Sequence, residues 1–264
     1  MNEPMILTTV DDGGMATVTL NRPDLHNAFD DNLIALLTEE LKRLESDQAV
    51  RLVRLAGNGK SFSAGADLGW MRRMAGYSRE ENLADARGLA ELMRTLNFLS
   101  KPTIALVQGA AYGGGVGLVA CCDIVVATRR ALFCLSEVKL GIMPAVISPY
   151  VVEAIGARAA RRYFQTAESF DAAEAHRLGL VHELVENDAE MYAAADRIAS
   201  AILKNGPQAM AEAKQLIPFV SRGPIDGAMI EGTAERIARV RASAEGKEGV
   251  SSFLEKRKPA WVKE

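Results

Sequence analysis

The chain has 264 residues, with 31 Lys and Arg against 34 Asp and Glu for a formal net charge of −3, and 48% of its residues are hydrophobic. That composition supports a packed core and excludes disorder as the dominant state, and the length fits one large α/β domain or a domain with an appendage. Balanced charge offers no basic face to phosphates, which argues against a nucleic-acid binder. Three cysteines, two of them the neighbours Cys121 and Cys122, cannot build a disulfide framework and suit a reducing cytoplasm.

In chain order, the opening MNEPMILTTVDDGG lacks the basic and apolar regions of a signal peptide. Residues 16–20, 52–56, 103–107 and 124–127 are short β-branched runs bounded by turn or charged residues, and each predicts a strand. Between them, residues 32–44 place apolar side chains at 33, 36, 37, 41 and 44, and residues 80–99 at 83, 86, 89, 92, 93 and 96. Both patterns predict amphipathic helices, and the alternation of strand and helix implies a layered α/β core.

The uncharged stretch 102–122 is long enough to imitate a membrane span. Its interior QGAAYGGGVG is a poor helix, so it reads as strand, glycine loop and buried helix, and no membrane partner is expected. Beyond residue 157 strand signals fade. Residues 172–178, 189–203, 207–219 and 225–242 predict helices, punctuated by Gly179, Gly206 and Gly223. The expected division is an α/β core over 1–195 and a helical region over 196–264.

Chemistry is scarce in the usual places. His26, His176 and His182 form no metal-ligand spacing, and no Gly-x-Ser-x-Gly elbow supplies a serine nucleophile. Gly57-Asn-Gly-Lys-Ser61 fails as a phosphate loop because Arg54 stands where its first glycine belongs. Gly113-Gly-Gly-Val-Gly117 fails as a dinucleotide fingerprint because Leu118 stands at the third glycine. Ser63-Ala-Gly-Ala-Asp67 and Gly113-Gly-Gly115 each follow a strand and open a helix, so both offer main-chain N–H groups to a ligand. Converging on one oxygen, the two loops would make an oxyanion hole; taken singly, either set of glycines could simply turn the chain.

The order Asn21-Arg-Pro…Asn27-Ala, Phe62-Ser-Ala-Gly-Ala-Asp-Leu68, Gly113-Gly-Gly, Cys122-Asp-Ile and Ser136-Glu-Val-Lys-Leu-Gly141 resembles the enoyl-CoA hydratase/isomerase (crotonase) family. The match extends through Phe170–Gly179 to the closing Phe253-Leu-Glu-Lys-Arg-Lys-Pro259. The resemblance implies an α/β spiral of ββα units with a helical C-terminal appendage, assembled as a homotrimer or homohexamer. It implies an acyl-CoA substrate and no cofactor or metal beyond that CoA thioester. The N–H groups of Ala66 and Gly114 would hold the thioester carbonyl. Asp24, Leu25 and Ala28 would lie along CoA, Ala64 would meet its adenine, and Asp67 and Leu68 would continue that lining. Phe253 and Lys256 would reach CoA, often that of a neighbouring subunit.

The resemblance also implies a carboxylate pair, and here the chain departs. Glu137 occupies one family position, whereas the other is Gly117. Tyr112 and Ser148 are the nearby polar candidates to complete the pair. The run from Gly141 to Val151 is similar to the bacterial branch that hydrates branched, carboxylated enoyl-CoAs such as 3-methylglutaconyl-CoA and γ-carboxygeranoyl-CoA. Arg72, Arg73, Ser148 and Tyr150 are then candidate partners for the substrate's extra carboxylate. The leading expectation is a 2-enoyl-CoA hydratase using Glu137. Its rivals are a single-glutamate enoyl-CoA isomerase and a non-catalytic acyl-CoA- or RNA-binding member.

Overall fold

The computed structural model describes residues 3–221 and 223–262. Strand β1 (Ile6–Val10) turns back antiparallel onto β2 (Met15–Leu20), whose alternation buries Ala16, Val18 and Leu20 on one face. From β2 the sheet runs parallel through β3 (Leu52–Gly57), β4 (Thr103–Val107), β6 (Ile124–Thr128) and β9 (Glu183–Val185). Every residue of β4 is buried, as a central parallel strand covered on both faces requires. A second, three-stranded sheet stacks β5 (Ala110–Tyr112), β7 (Leu132–Cys134) and β8 (Phe170–Asp171).

Helices fill the crossovers. The helix α1 (Asp31–Ser46) is capped by Asp30, which accepts from the Leu33 N–H, and packs on α3 (Arg79–Asn97). Between β3 and α3 lies the short α2 (Leu68–Met74), and α4 (Gly114–Cys121) follows β5. These elements bury one core, in which Phe29, Leu37, Leu41, Met93 and Val116 are inaccessible or nearly so. The stretch 102–122 is thus β4, β5 and α4, and among the described residues no helix is long and apolar enough to cross a membrane.

The chain continues through α5 (Ser148–Thr166), α6 (Ala172–Leu178), α7 (Asp188–Leu203), α8 (Pro207–Ser221), α9 (Gly227–Ala242) and α10 (Ala244–Leu254). Helix α5 breaks at Gly156, where φ 74° and ψ 154° fit only glycine. Helix α7 lays Met191, Ala194, Ala195 and Ala199 on Leu52, Ile104, Leu106 and Val126, forming a second core on the opposite face of the sheet. The division expected between residues 195 and 196 falls inside this helix, which runs on unbroken because its apolar face continues to Ala199. Helices α8 and α9 bury no side chain fully, and Ile217, Ile225, Ile230 and Leu254 stand exposed. Lys214 ties α8 to the core, donating to Asp123 at 2.8 Å and to the Lys101 carbonyl at 3.3 Å.

Candidate active site

Two loops at strand ends meet backbone to backbone. The loop after β3 runs beside β5: Ser63 N–H donates to Ala110 O at 3.0 Å, and Tyr112 N–H donates to Ser63 O at 2.9 Å. Three residues further along the same loop, Phe29 bridges Ala66. Phe29 N–H donates to Gly65 O and Asp67 N–H donates to Phe29 O, both at 2.7 Å. In such a parallel bridge the middle residue turns its own N–H the other way. The Ala66 N–H is therefore directed away from Phe29 and meets no acceptor among the described residues.

The second loop turns at Gly113, whose φ of 49° and ψ of −117° admit no side chain comfortably. Its N–H is spent on Cys134 O at 2.9 Å. Gly114 is the first residue of α4, where an N–H has no partner inside the helix, and it too lacks an acceptor among the described residues. A Cβ at Gly114 would sit 2.7 Å from the Phe29 ring, and one at Gly65 3.0 Å from Tyr112 O. The small residues are the condition for this approach.

Glu137 stands over the same turn. It opens a 3-10 turn, Glu137–Leu140, that follows β7 and ends at left-handed Gly141. A Cβ at Gly113 would lie 3.2 Å from Glu137 Oε1. Oε2 is buried without a hydrogen-bond partner. Burial pushes the Glu137 carboxyl above the usual carboxylate range, against a smaller opposing effect from its own backbone N–H. An unpartnered buried acceptor costs about 1–3 kcal/mol, more when charged. A buried, unpartnered carboxylate oxygen beside the Gly113 turn makes Glu137 the candidate proton-transfer group of this site.

The second family position is filled by hydrocarbon. A Cβ on Gly117 would fall 2.3 Å from Ile147 Cγ2 and 3.1 Å from Met93 Cε. Ile147 and Met93 are both buried, so no side chain fits without repacking. Two of the polar candidates are otherwise engaged. Ser148 Oγ donates to Ala145 O at 2.8 Å, and Arg73 pairs with Asp31. Tyr150 lines a cavity of about 620 Å³ between α8 and the ends of α3 and α4, whose lining includes neither Glu137 nor Gly114. Tyr112 contributes its backbone to the Ser63 pairing. Arg72, in the last turn of α2, has no acidic partner among the described residues.

The loop after β2 and the loop after β3 bring most of the remaining predicted residues together. Asp24 and Leu25 lie exposed in the 3-10 turn Pro23–Leu25, and Ala28 is buried beside Phe29. Ala64 N–H donates to His26 O at 2.9 Å, joining the two loops. Leu68 is exposed at the start of α2. The Asp67 carboxylate is turned inward: Oδ1 accepts the Gly69 and Trp70 N–H groups at 2.7 and 3.1 Å, and Oδ2 accepts from Arg22 at 3.3 Å. Burial alone would raise its pKa, but these bonds outweigh burial and hold the carboxyl below its ordinary value. Phe253, 82% exposed, and Lys256 stay apart at the end of α10, which packs on α8 and α9. The sequence quoted Arg22 and Asn27 only as motif letters, and nothing in their spacing shows that their side chains hold this loop pair.

Comparison with known proteins identifies the family and the fold. The model of the enoyl-CoA hydratase/isomerase family matches residues 11–264. The crystal structure of an enoyl-CoA hydratase from Shewanella pealeana superposes with a TM-score of 0.95 at 50% identity, covering 98% of this chain and 96% of that one. A crotonyl-CoA hydratase of Syntrophomonas wolfei is 33% identical over 94% of each chain. A 2,3-dehydroadipyl-CoA hydratase of Escherichia coli K12 is 34% identical over 92% of each.

Proposed function

Because the chain belongs to the enoyl-CoA hydratase/isomerase family, we propose that it adds water across the double bond of a 2-enoyl-CoA, with Glu137 as its one acid/base. The observation that carries this reading is the buried, unpartnered Oε2 of Glu137 beside the Gly113–Gly114 turn. The Glu137 carboxylate takes a proton from water as the water oxygen bonds to the β-carbon. The electron pair of the double bond moves onto the thioester oxygen, where the Ala66 and Gly114 N–H groups stabilise the enolate. Glu137, now a carboxylic acid, returns a proton to the α-carbon. The donors act because enolate charge develops only along the reaction, so they favour the transition state over the substrate. The raised pKa of Glu137 suits both halves, strengthening the base and keeping the acid form within reach.

In this reading Asp24, Leu25, Ala28, Ala64, Asp67 and Leu68 line the CoA path, with Asp67 contributing main chain because its carboxylate is occupied. Phe253 and Lys256 serve the CoA of a neighbouring subunit in a homotrimer or homohexamer, consistent with the exposed apolar side chains of α8, α9 and α10. The acyl group is branched or carboxylated, of the 3-methylglutaconyl-CoA type. The 2,3-dehydroadipyl-CoA hydratase, whose name denotes an acyl chain ending in a carboxylate, supports that class, and Arg72, without an acidic partner among the described residues, is a guanidinium available for such a group.

The hydrocarbon at the Gly117 position favours one second reading. A lone carboxylate suffices to carry a proton between two carbons, which is enoyl-CoA isomerisation. Mass spectrometry of products from crotonyl-CoA, 3-methylglutaconyl-CoA and a 3-enoyl-CoA separates the two. Gain of one water from the 2-enoyl substrates supports hydration; conversion of the 3-enoyl substrate without mass change, and no water gain, replaces it with isomerisation.

A further inference from the structure

We propose that Arg22 is the positioning residue of the oxyanion site, clamping the Ala66 loop to the segment before α1 and so fixing the direction of the Ala66 N–H. The inference rests on the reading of Ala66 as an oxyanion donor. The Arg22 side chain is only 14% exposed and works at three acceptors. Nη1 donates to Ala28 O at 2.7 Å and lies 3.3 Å from Asp30 Oδ2, while Nη2 donates to Asp67 Oδ2 at 3.3 Å. These partners flank the single bridge that orients Ala66: Ala28 and Asp30 are the chain neighbours of Phe29, and Asp67 is the neighbour of Ala66.

Neither carboxylate is free to leave. Asp30 caps α1 through the Leu33 N–H, and Asp67 caps α2 through the Gly69 and Trp70 N–H groups. The guanidinium thus joins two helix starts across the loop pair. Its own backbone is fixed as well. Arg22 N–H donates to Asn27 Oδ1 at 2.8 Å, and the inaccessible Asn27 donates Nδ2 to Asn58 O and Ser61 O, both at 2.9 Å. Ala66, by contrast, is exposed and carries no side chain that could hold it.

Removing the guanidinium has a directional effect. Asp30 and Asp67 would face each other without a counter-charge in a partly buried site, and their repulsion would open the loop pair at the Phe29–Ala66 bridge. Main-chain donors act through angle and distance, and a misplacement of about 1 Å can cost on the order of 10²-fold in rate. Lysine would supply the charge but not the planar fork that reaches separate acceptors.

Isotope-edited infrared spectroscopy of a bound 2-enoyl-CoA with a 13C-labelled thioester carbonyl reads the donor directly. A Glu137→Gln background prevents turnover. With Arg22 present, binding should lower the carbonyl stretching frequency, reporting polarisation. In Arg22→Met the Ala66 share of that downshift should vanish while the Gly114 share remains, and Arg22→Lys should restore part of the loss. In the Glu137-containing enzyme, Arg22→Met should lower kcat by about 10²-fold with KM changed far less. Asp67→Asn keeps the cap acceptor, removes the charge pair and should reproduce the spectral loss if Arg22→Met fails to fold. A full downshift retained in folded Arg22→Met or Asp67→Asn overturns the clamp and leaves Ala66 as a donor. No downshift on binding with Arg22 in place overturns the oxyanion reading itself.

Discussion

Substituting alanine for Gly117 tests the most distinctive feature of the site. In a helix interior this exchange ordinarily stabilises by about 1 kcal/mol through propensity. Here the new Cβ would lie 2.3 Å from Ile147 Cγ2, against a comfortable carbon–carbon separation of about 3.5–4.0 Å. More than about 1 Å of space must open, and it must open between Ile147, 2% exposed, and Met93, inaccessible, in the main core. Overpacking of this kind costs about 1–3 kcal/mol, rising above that range for severe clashes. With so short a contact the clash outweighs propensity, and Gly117→Ala should destabilise by up to about 2 kcal/mol net. Urea unfolding should show a lower midpoint at unchanged slope. Ile147→Ala alone should cost about 2–5 kcal/mol, and the double variant should recover part of that, because the added methyl fills the vacated space. The cycle should show a favourable coupling of about 0.5–3 kcal/mol. A more stable Gly117→Ala, or strict additivity with Ile147→Ala, would refute the hydrocarbon filling of the second carboxylate position.

Two further outcomes follow from the same geometry. Gly114→Pro removes the N–H at a first helical position, where proline is tolerated, and should lower kcat by about 10²–10³-fold. Gly114→Ala meets the same Phe29 ring but keeps the N–H, so an equal loss in both variants would assign the effect to crowding instead. Glu137→Gln should make the fold more stable than wild type at neutral pH by about 1 kcal/mol, because it removes an ionised group with an unpartnered buried oxygen. The folded pKa of Glu137 is raised, so the folded state binds more protons between the unfolded and folded values, and stability falls as pH rises through that window. Urea midpoints across pH should therefore diverge upward in pH and converge below the unfolded value; parallel curves would contradict the burial of this charge.

The elements that the sequence shows best are those whose own side chains make the burial pattern. Residues 103–107 and 172–178 match β4 and α6 residue for residue, because each has a continuous apolar run or clear punctuation. Helix α5 escapes notice because Gly156 breaks its periodicity at φ 74°. Strands β5, β7 and β8 have two or three residues and exist only through pairing with distant chain. The edge strand β1 buries nothing fully and so carries little signal. In the site, the two glycine loops and Glu137 were legible as motifs. The packing that closes the Gly117 position was not, because it depends on Ile147 arriving from thirty residues further on. Arg73 and Ser148 illustrate the opposite limit: their charge and hydroxyl were visible, but Asp31 and the Ala145 carbonyl already hold them.

The central claim is that one carboxylate, Glu137, carries both proton movements of water addition. The most direct test is the steady-state rate of water addition to a 2-enoyl-CoA by Glu137→Gln, with CoA-ester binding measured alongside. The account predicts a loss of about 10²–10⁴-fold in kcat with binding retained, since the N–H donors and the CoA-lining loops are untouched. Water addition at the wild-type rate by Glu137→Gln would contradict it and place the acid/base on another residue.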